Sequence, residues 1–401
     1  MEMKPEQEVG SSSASNSSLS QAKKAKNDEF YTQYADIQNE INAYHEFNPD
    51  VFRGKTVLLP CDDPEWSNFT KFFAQNFQYF GLKKLISTSF AIESKNFKPD
   101  YQPTPFEQDS PLFSWGKTRI KGKIFTLERD ISNDGKIDIN DLEWRYLEGD
   151  GDFRSDEIKK LRDEADIIVT NPPFSLFREF LAWITEADKD FVIIGNKNAI
   201  TYKDVFGLIM RNRMWVGKTP MSTDILFDIP PNYAEELLRN KKSSSAYRIV
   251  DGVVKGRSQS IWFTSLEHGK RHTPLRLMTM ADNIKFSKHK EVRGIGYKRY
   301  DNYDAIDIPF TDAIPSDYDG VMGVPISFMD KYCPEQFEIV GMCENEDLYG
   351  LKTRIYTTAE CKAAYEAKFG KRGTYDLNAS GVLVIDGLQE KVYQRVLIRK
   401  K

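Results

Sequence analysis

Asn171, Pro172, Pro173 and Phe174 follow one another directly after the apolar run ADIIVT (165–170). These residue types in this order suit one kind of chemistry. An amino nitrogen attached to an aromatic ring, such as N6 of adenine, is a poor nucleophile because its lone pair is delocalised into the ring. Acceptors placed on its two hydrogens favour a more tetrahedral, more reactive nitrogen. The Asn171 side-chain oxygen and the Pro172 carbonyl are two such acceptors. The prolines fix φ and stiffen the turn, so the carbonyl is aimed before a substrate arrives, which is electrostatic preorganisation rather than base catalysis. Phe174 adds a planar face on which a base drawn out of its stack can rest. The bland alternative is a proline turn that merely ends a strand. The apolar run before the motif and the helix-like FSLFREFLAWITEA after it favour the chemical reading.

Such a turn needs a scaffold, and the flanking sequence supplies one. KTVLLP (55–60) reads as a buried strand ending in the polar turn Cys61-Asp62-Asp63-Pro64, and WSNFTKFFAQNFQYFG (66–81) as a helix stopped by glycine. LKKLIST (82–88), ADIIVT (165–170) and DFVIIG (190–195) read as further core strands, with helical spacing after the last two, near 174–187 and 202–213. Strands alternating with helices predict an α/β fold with a doubly wound, mostly parallel sheet, in which ligands bind at the carboxyl ends of the strands. An insertion over about 93–147, rich in Pro, Lys and Asp, is expected to form a loop and a β-hairpin at the surface. From about Ser258 the runs SIWFTSLE, PLRLMTM, QFEIVGM, GVLVIDG and VYQRVLIRK are strand-like, so the C-terminal region is expected to be β-rich. Residues 1–26, with SSSASNSSLS and three lysines, lack the apolar content that repays ordering and read as a disordered tail. A helix is expected from Asp28 onward. The division that follows is a catalytic domain over 27–239 and a target-recognition region over 240–401.

The formal charge of −4 does not announce a nucleic-acid partner, yet between Arg239 and Arg299 there are 15 Lys and Arg against 4 Asp and Glu, interleaved with aromatic residues. That stretch suits a phosphate backbone; a solvated surface offset by acidic neighbours is the alternative. Trp262 and Phe263, successive residues of a strand, point to opposite faces, so one is placed to line a base pocket unless both pack in the core. The four cysteines form no CxxC pair and read as reduced thiols. No apolar run has the length of a membrane span, and the N-terminus carries no secretory signal, so a cytoplasmic protein without membrane contact is expected.

The chain resembles the amino-methyltransferases with an [N/D/S]PP[Y/F/W] motif, and more closely the EcoRI-type adenine-specific DNA methyltransferases. The residues that carry the resemblance are DEFYTQ (28–33), CDDP (61–64) with SNF (67–69), GDGDFRSDE (149–157), IIVTNPPFSLF (167–177), GVPISFMDKYCPEQFEIVG (323–341) and the ending RVLIRK. It implies the S-adenosylmethionine-dependent methyltransferase fold, double-stranded DNA as partner, and a restriction-modification context with a cognate endonuclease acting on the same site. Asn171, Pro172 and Phe174 become the catalytic residues. Phe30, Tyr31 and Thr32 become the motif that contacts the amino-acid end of the cofactor, with Cys61, Asp62 and Asp63 as the loop after the first strand. Asp152 and Phe153 become the pair that reads the cofactor's adenine, a carboxylate accepting from its amino group. The glycine-rich FxGxG loop usual after the first strand is absent here, its place taken by CDDP.

Other readings are weaker. Asp130, Ser132, Asp134, Gly135, Lys136, Asp138 and Asp141 approach the spacing of a calcium loop, but Asp141 stands where a bidentate Glu belongs and the run before it is strand-like, which favours a hairpin with an acidic tip. Asp141, Glu157 and Lys159 can be assembled into a metal-nuclease pattern, one that arises readily by chance in a chain with 29% charged residues. The four histidines suggest no metal cluster, and methyl transfer from a sulfonium calls for none. An RNA or protein N-methyltransferase and a DNA-binding protein that has lost catalysis are the functional alternatives; the intact Asn171–Phe174 motif argues against the last.

Overall fold

The computed structural model describes residues 32–62, 67–91, 110–228, 239 and 247–401. The chain groups into two compact units. The first takes in 1–45, 49–196 and 224–260, the second 46–48, 197–223 and 261–401.

In the first unit, helix α1 (Tyr34–Phe47) buries Ile37, Ile41 and Tyr44 at helical spacing. Strand β1 (Thr56–Leu59) is buried along its whole length. Helix α2 (Asn68–Gln75) starts at Ser67, whose hydroxyl accepts from the backbone N–H of Phe69. The single helix expected over 66–81 is two: α2 ends at Asn76, which donates from both its backbone N–H and its side-chain amide to the Phe72 carbonyl, and a short turn of helix, Phe77–Phe80, ends at Gly81 with φ +64°. Phe52, Phe72, Phe73 and Phe80 meet in one aromatic cluster beneath these helices.

Strands β2 (Lys84–Ser89), β3 (Lys123–Leu127) and β4 (Glu143–Tyr146) follow, then helix α3 (Asp156–Glu164), β5 (Ile167–Thr170), helix α4 (Phe177–Glu186) and β6 (Asp190–Asn196). Their spatial order is β4, β3, β2, β1, β5, β6. The pairs β1/β2, β1/β5 and β5/β6 are parallel, while β2/β3 and β3/β4 are antiparallel. The insertion does form a hairpin, β3–β4, but it extends the main sheet through β2 instead of standing apart from it. Residues 92–109 of that insertion lie outside the described residues. A separate antiparallel sheet of Ile225–Asp228, Val253–Ser258 and Tyr247–Val250 completes this unit.

The hairpin tip carries the calcium-like spacing, and its carboxylates are engaged by the loop itself. Asp130 accepts from the backbone N–H groups of Asn133 and Gly135, and Asp141 from those of Ile131, Ser132 and Asp138. These N–H groups, with Ser132 and Asp138 foremost, pull the Asp141 carboxyl down to about 2.

The second unit is β-rich. A four-stranded sheet runs Ala305–Asp307, Val321–Pro325, Arg395–Lys400, Phe337–Met342, its first pair parallel and the others antiparallel. A hairpin, Val382–Ile385 with Leu388–Lys391, and the helix Thr358–Phe369 pack beside it in the chain's last third. PLRLMTM, expected as a strand, is irregular and leads into the helix Met280–Phe286. Its backbone finds no strand to pair with. The Gln336 side-chain amide takes that role, accepting from Leu275 N–H at 2.8 Å and donating to Leu275 C=O at 2.9 Å.

Candidate active site

The parallel strands of the first unit lie in the order β2, β1, β5, β6, so the chain steps from β1 to β2 on one side and then returns across β1 to β5. The carboxyl ends of β1 and β5 form the point where the winding reverses, the usual ligand crevice of such sheets. Asp62 follows β1 and Asn171 follows β5, so two of the residues singled out by sequence flank this point.

They are linked through a residue that sequence reasoning passed over. Thr170 Oγ1 donates to Asp62 Oδ2 at 2.7 Å, and Ser67 Oγ donates to Asp62 Oδ1 at 2.7 Å. The Asp62 carbonyl accepts from Ser87 Oγ at 2.6 Å, Ser87 Oγ lies 2.9 Å from Thr70 Oγ1, and Thr88 Oγ1 donates to the Pro60 carbonyl at 3.0 Å. Asp62 is 1% exposed. A buried carboxylate is tolerable only when it is well hydrogen-bonded, and here hydroxyls from the start of α2 and the end of β5 supply the bonds. Asp62 therefore ties the β1 turn, the α2 N-terminus and the end of β5 together. Five hydroxyl residues at successive strand and helix ends were the available signal in the sequence; their convergence was not visible there.

Asn171 is 2% exposed and Pro172 is buried, whereas Phe174 is half-buried. Pro173, at φ −56° and ψ 118°, leads into a single 3₁₀ turn, Phe174–Leu176, closed by Leu176 N–H donating to the Pro173 carbonyl at 2.8 Å, and α4 follows at once. The motif thus forms a strand-to-helix turn, one in which two prolines restrict φ.

Thr32 is buried, and its carbonyl accepts from Asn68 Nδ2 at 2.8 Å, which fixes the N-terminal segment beside the start of α2. Phe30, Tyr31 and Asp63 lie outside the described residues. Cys61 is half-buried, and none of the four cysteines forms a disulfide.

The GDGDF loop crosses the end of β2. Gly151 has φ +89°, and a Cβ there would stand 2.3 Å from the Ser89 carbonyl oxygen, so only glycine fits. Ala91 N–H donates to the Asp150 carbonyl at 2.7 Å, and Glu157 accepts from the N–H groups of Glu148 and Gly149. Asp152 is thereby held near the carboxyl ends of the parallel strands. Arg154 grips it with Nε at 2.9 Å and Nη2 at 2.6 Å, and with its backbone N–H at 2.8 Å. The guanidinium hydrogen bonds hold the Asp152 carboxyl below its ordinary range. Arg154 also reaches Glu179 of α4 at 3.4 Å. Phe153 is 4% exposed, its ring edge-on to Phe180 at 5.1 Å and Trp183 at 5.7 Å, so it anchors the loop to α4.

Trp262 and Phe263 sit in the strand Ser260–Thr264 and are 1% and 0% exposed; that strand is buried on both faces. Among the described residues, no group of three or more His, Cys, Asp or Glu has the arrangement of a metal site, and no helix is long and apolar enough to cross a membrane. The Asp141 and Glu157 of the nuclease pattern are each engaged by backbone N–H groups of separate loops.

The family model described as "Adenine-specific methyltransferase EcoRI" matches residues 18–401. The Type II methyltransferase M.EcoRI of Escherichia coli is 41% identical over 327 residues, 82% of this chain and 89% of that protein. The Type II methyltransferase M.MpnI of Mycoplasma pneumoniae is 33% identical over 84% of this chain and 90% of its own. M.MgeORF184P of Mycoplasma genitalium is 32% identical over 96% of this chain and 98% of its own. No solved structure matches the chain. With the family model covering nearly the whole sequence and relatives this similar along most of theirs, the chain belongs to the EcoRI family of adenine-specific methyltransferases.

Proposed function

We propose that this enzyme transfers the methyl group of S-adenosylmethionine to N6 of an adenine flipped out of double-stranded DNA. The observation that carries the reading is the Asn171–Phe174 turn at the winding reversal of the sheet's parallel strands. The Asn171 side-chain oxygen and the Pro172 carbonyl accept from the two N6 hydrogens and hold the nitrogen lone pair toward the methyl donor. Neither group is a base at neutral pH, so their contribution is a fixed field that needs no reorganisation during the reaction. Phe174 supports the extruded base.

The donor set fits the cofactor. Asp152 keeps its charge through Arg154 and is 22% exposed at the side chain, which suits a carboxylate accepting from an adenine amino group. Phe153 fixes its loop, and Thr32, Cys61 and Asp62 shape the adjoining wall, Asp62 through the hydroxyls it binds. When bound, S-adenosylmethionine supplies an electrophilic methyl group on a sulfonium. Asp152→Ala is expected to weaken S-adenosylhomocysteine binding about tenfold to a hundredfold, the usual worth of a hydrogen bond to a charged acceptor, and Arg154→Ala less, because it loosens the carboxylate without removing it. Calorimetric titration decides, and an unchanged Kd for Asp152→Ala removes the residue from the cofactor site.

Target recognition is assigned to the region from about residue 240 onward, where the positive charge is concentrated. We place the enzyme in the cytoplasm, beside a restriction endonuclease that cuts the same sequence. The direct test is methylation-sensitive sequencing of DNA from cells expressing the protein. N6-methyladenine at one recurring sequence, absent with the Asn171→Ala variant, is the expected outcome; unmodified adenine throughout would refute the proposal.

A further inference from the structure

The 15 Lys and Arg between Arg239 and Arg299 are not used evenly by the fold. In the second unit Lys270 pairs with Asp330 at 2.6 Å, Arg271 with Glu267 at 2.9 Å and Lys288 with Asp312 at 2.7 Å, and Arg299 pairs with Asp304. Lys285, Lys290, Arg293 and Lys298 are exposed and have no carboxylate partner among the described residues.

These four cations lie on one closed lobe. Thr279 caps the helix Met280–Phe286, the chain turns back, and Gly294 N–H donates to the Ile284 carbonyl at 2.8 Å, setting the two ends of the lobe side by side. Val292 is fully buried beneath the turn. The His289 ring stacks on Phe310 with centroids 3.7 Å apart, and its Nε2 lies 2.7 Å from Asp312 Oδ1. The base of the lobe is therefore fixed. The same lobe carries Phe286, 61% exposed, and Ile295, 64% exposed. Lys285 Nζ lies 4.9 Å from the centre of the Phe286 ring. Single exposed apolar residues are ordinary, but two large ones carried on adjoining segments, among four cations without carboxylate partners that outnumber the exposed Asp282 and Glu291 of the same lobe, mark a contact surface.

We infer that residues 280–299 form a docking lobe for duplex DNA, in which Lys285, Lys290, Arg293 and Lys298 meet phosphates and Phe286 and Ile295 lie against the sugars or base edges between them. Charge complementarity selects the occupant, because a polyanion of regular spacing satisfies cations that the fold itself leaves without carboxylates. The inference rests on the DNA-methylation reading above and adds where the duplex is held.

The test is the salt dependence of binding to a short random-sequence duplex, measured by fluorescence anisotropy on the full chain. Each phosphate contact contributes roughly 0.9 to the slope of log K against log salt. The triple variant Lys285→Gln, Lys290→Gln, Arg293→Gln is expected to reduce that slope by roughly 2 to 3, three contacts at that value. A matched variant, Lys362→Gln, Lys371→Gln, Arg372→Gln, removes the same charge from exposed positions of the same unit and is expected to leave the slope near wild type. Phe286→Ala should keep the wild-type slope but bind more weakly at every salt concentration. An unchanged slope in the lobe variant, or an equal fall in the matched variant, overturns the assignment; full affinity of Phe286→Ala overturns its apolar part. Methylation by the wild-type protein is scored separately, so failure of the lobe and failure of the enzymatic reading are distinguishable.

Discussion

Replacing Asn171 with alanine is expected to slow single-turnover methylation about a hundredfold, close to 3 kcal/mol, the usual effect of removing one preorganised hydrogen-bonding group from an active site. The side chain is 2% exposed at the end of a strand and followed by two prolines, so the acceptor is fixed before substrate enters and its loss is not made good by water. Cofactor binding and most of the DNA affinity should survive, because the role proposed for Asn171 is exerted on the nitrogen during transfer. Asn171→Asp, which keeps an acceptor oxygen, should retain more activity than Asn171→Ala. Phe174→Ala fails differently: it removes a stacking face worth about 1 to 3 kcal/mol per base, so the flipped complex weakens along with turnover, and Phe174→Trp is tolerated better. A duplex carrying 2-aminopurine at the target separates the two, since its fluorescence rises on unstacking. Near-normal single-turnover rates for Asn171→Ala would take this residue out of the mechanism.

The sheet was legible because of where its strands lie. TVLL and IIVT are buried on both faces, as central parallel strands must be, and so appear as unbroken apolar runs. The Asn171–Phe174 turn was legible because it is local, four consecutive residues whose stiffness is written in the prolines. The break at Asn76 was hidden, since Phe69, Phe72, Phe73, Phe77 and Phe80 keep helical spacing straight through it. PLRLMTM misled for the opposite reason: its composition suits a strand, but the partner it meets is the Gln336 side chain. In the site, what escaped was everything that depends on distant positions. Asp62 stands out as an acidic residue in a turn, which suggests a ligand, and nothing local says that a threonine 108 positions later donates to it. The Arg154 grip on Asp152 spans two residues and was readable in principle from DFR, yet its value comes from the loop that Gly151 allows to cross Ser89.

Thr170→Val is expected to lower both stability and the rate of methyl transfer, and the second effect is the informative one. The substitution keeps the shape of the side chain and removes the hydroxyl that donates to Asp62 Oδ2 at 2.7 Å, leaving a buried carboxylate oxygen with one donor fewer. Loss of a hydrogen bond to a buried charge costs about 1.5 to 3 kcal/mol, which should appear as a lower denaturant midpoint with unchanged slope. Thr170 immediately precedes Asn171, and β5 lies beside β1 in parallel register, Leu58 opposite Ile168. The bond to Asp62 thus pins the strand end from which the Asn171–Phe174 turn departs. Release of that end should misplace the Asn171 oxygen and slow single-turnover methylation about tenfold, or 1.4 kcal/mol, at a temperature where the variant is fully folded. Thr170→Ser restores the donor and should recover most of the rate. Asp62→Asn should resemble Thr170→Val, because its amide offers one acceptor oxygen where the carboxylate offers two to the hydroxyls of Thr170 and Ser67. If Thr170→Val proves less stable but transfers methyl groups at the wild-type rate, the Asp62 brace only supports the fold, and the position of Asn171 is set by the proline turn alone.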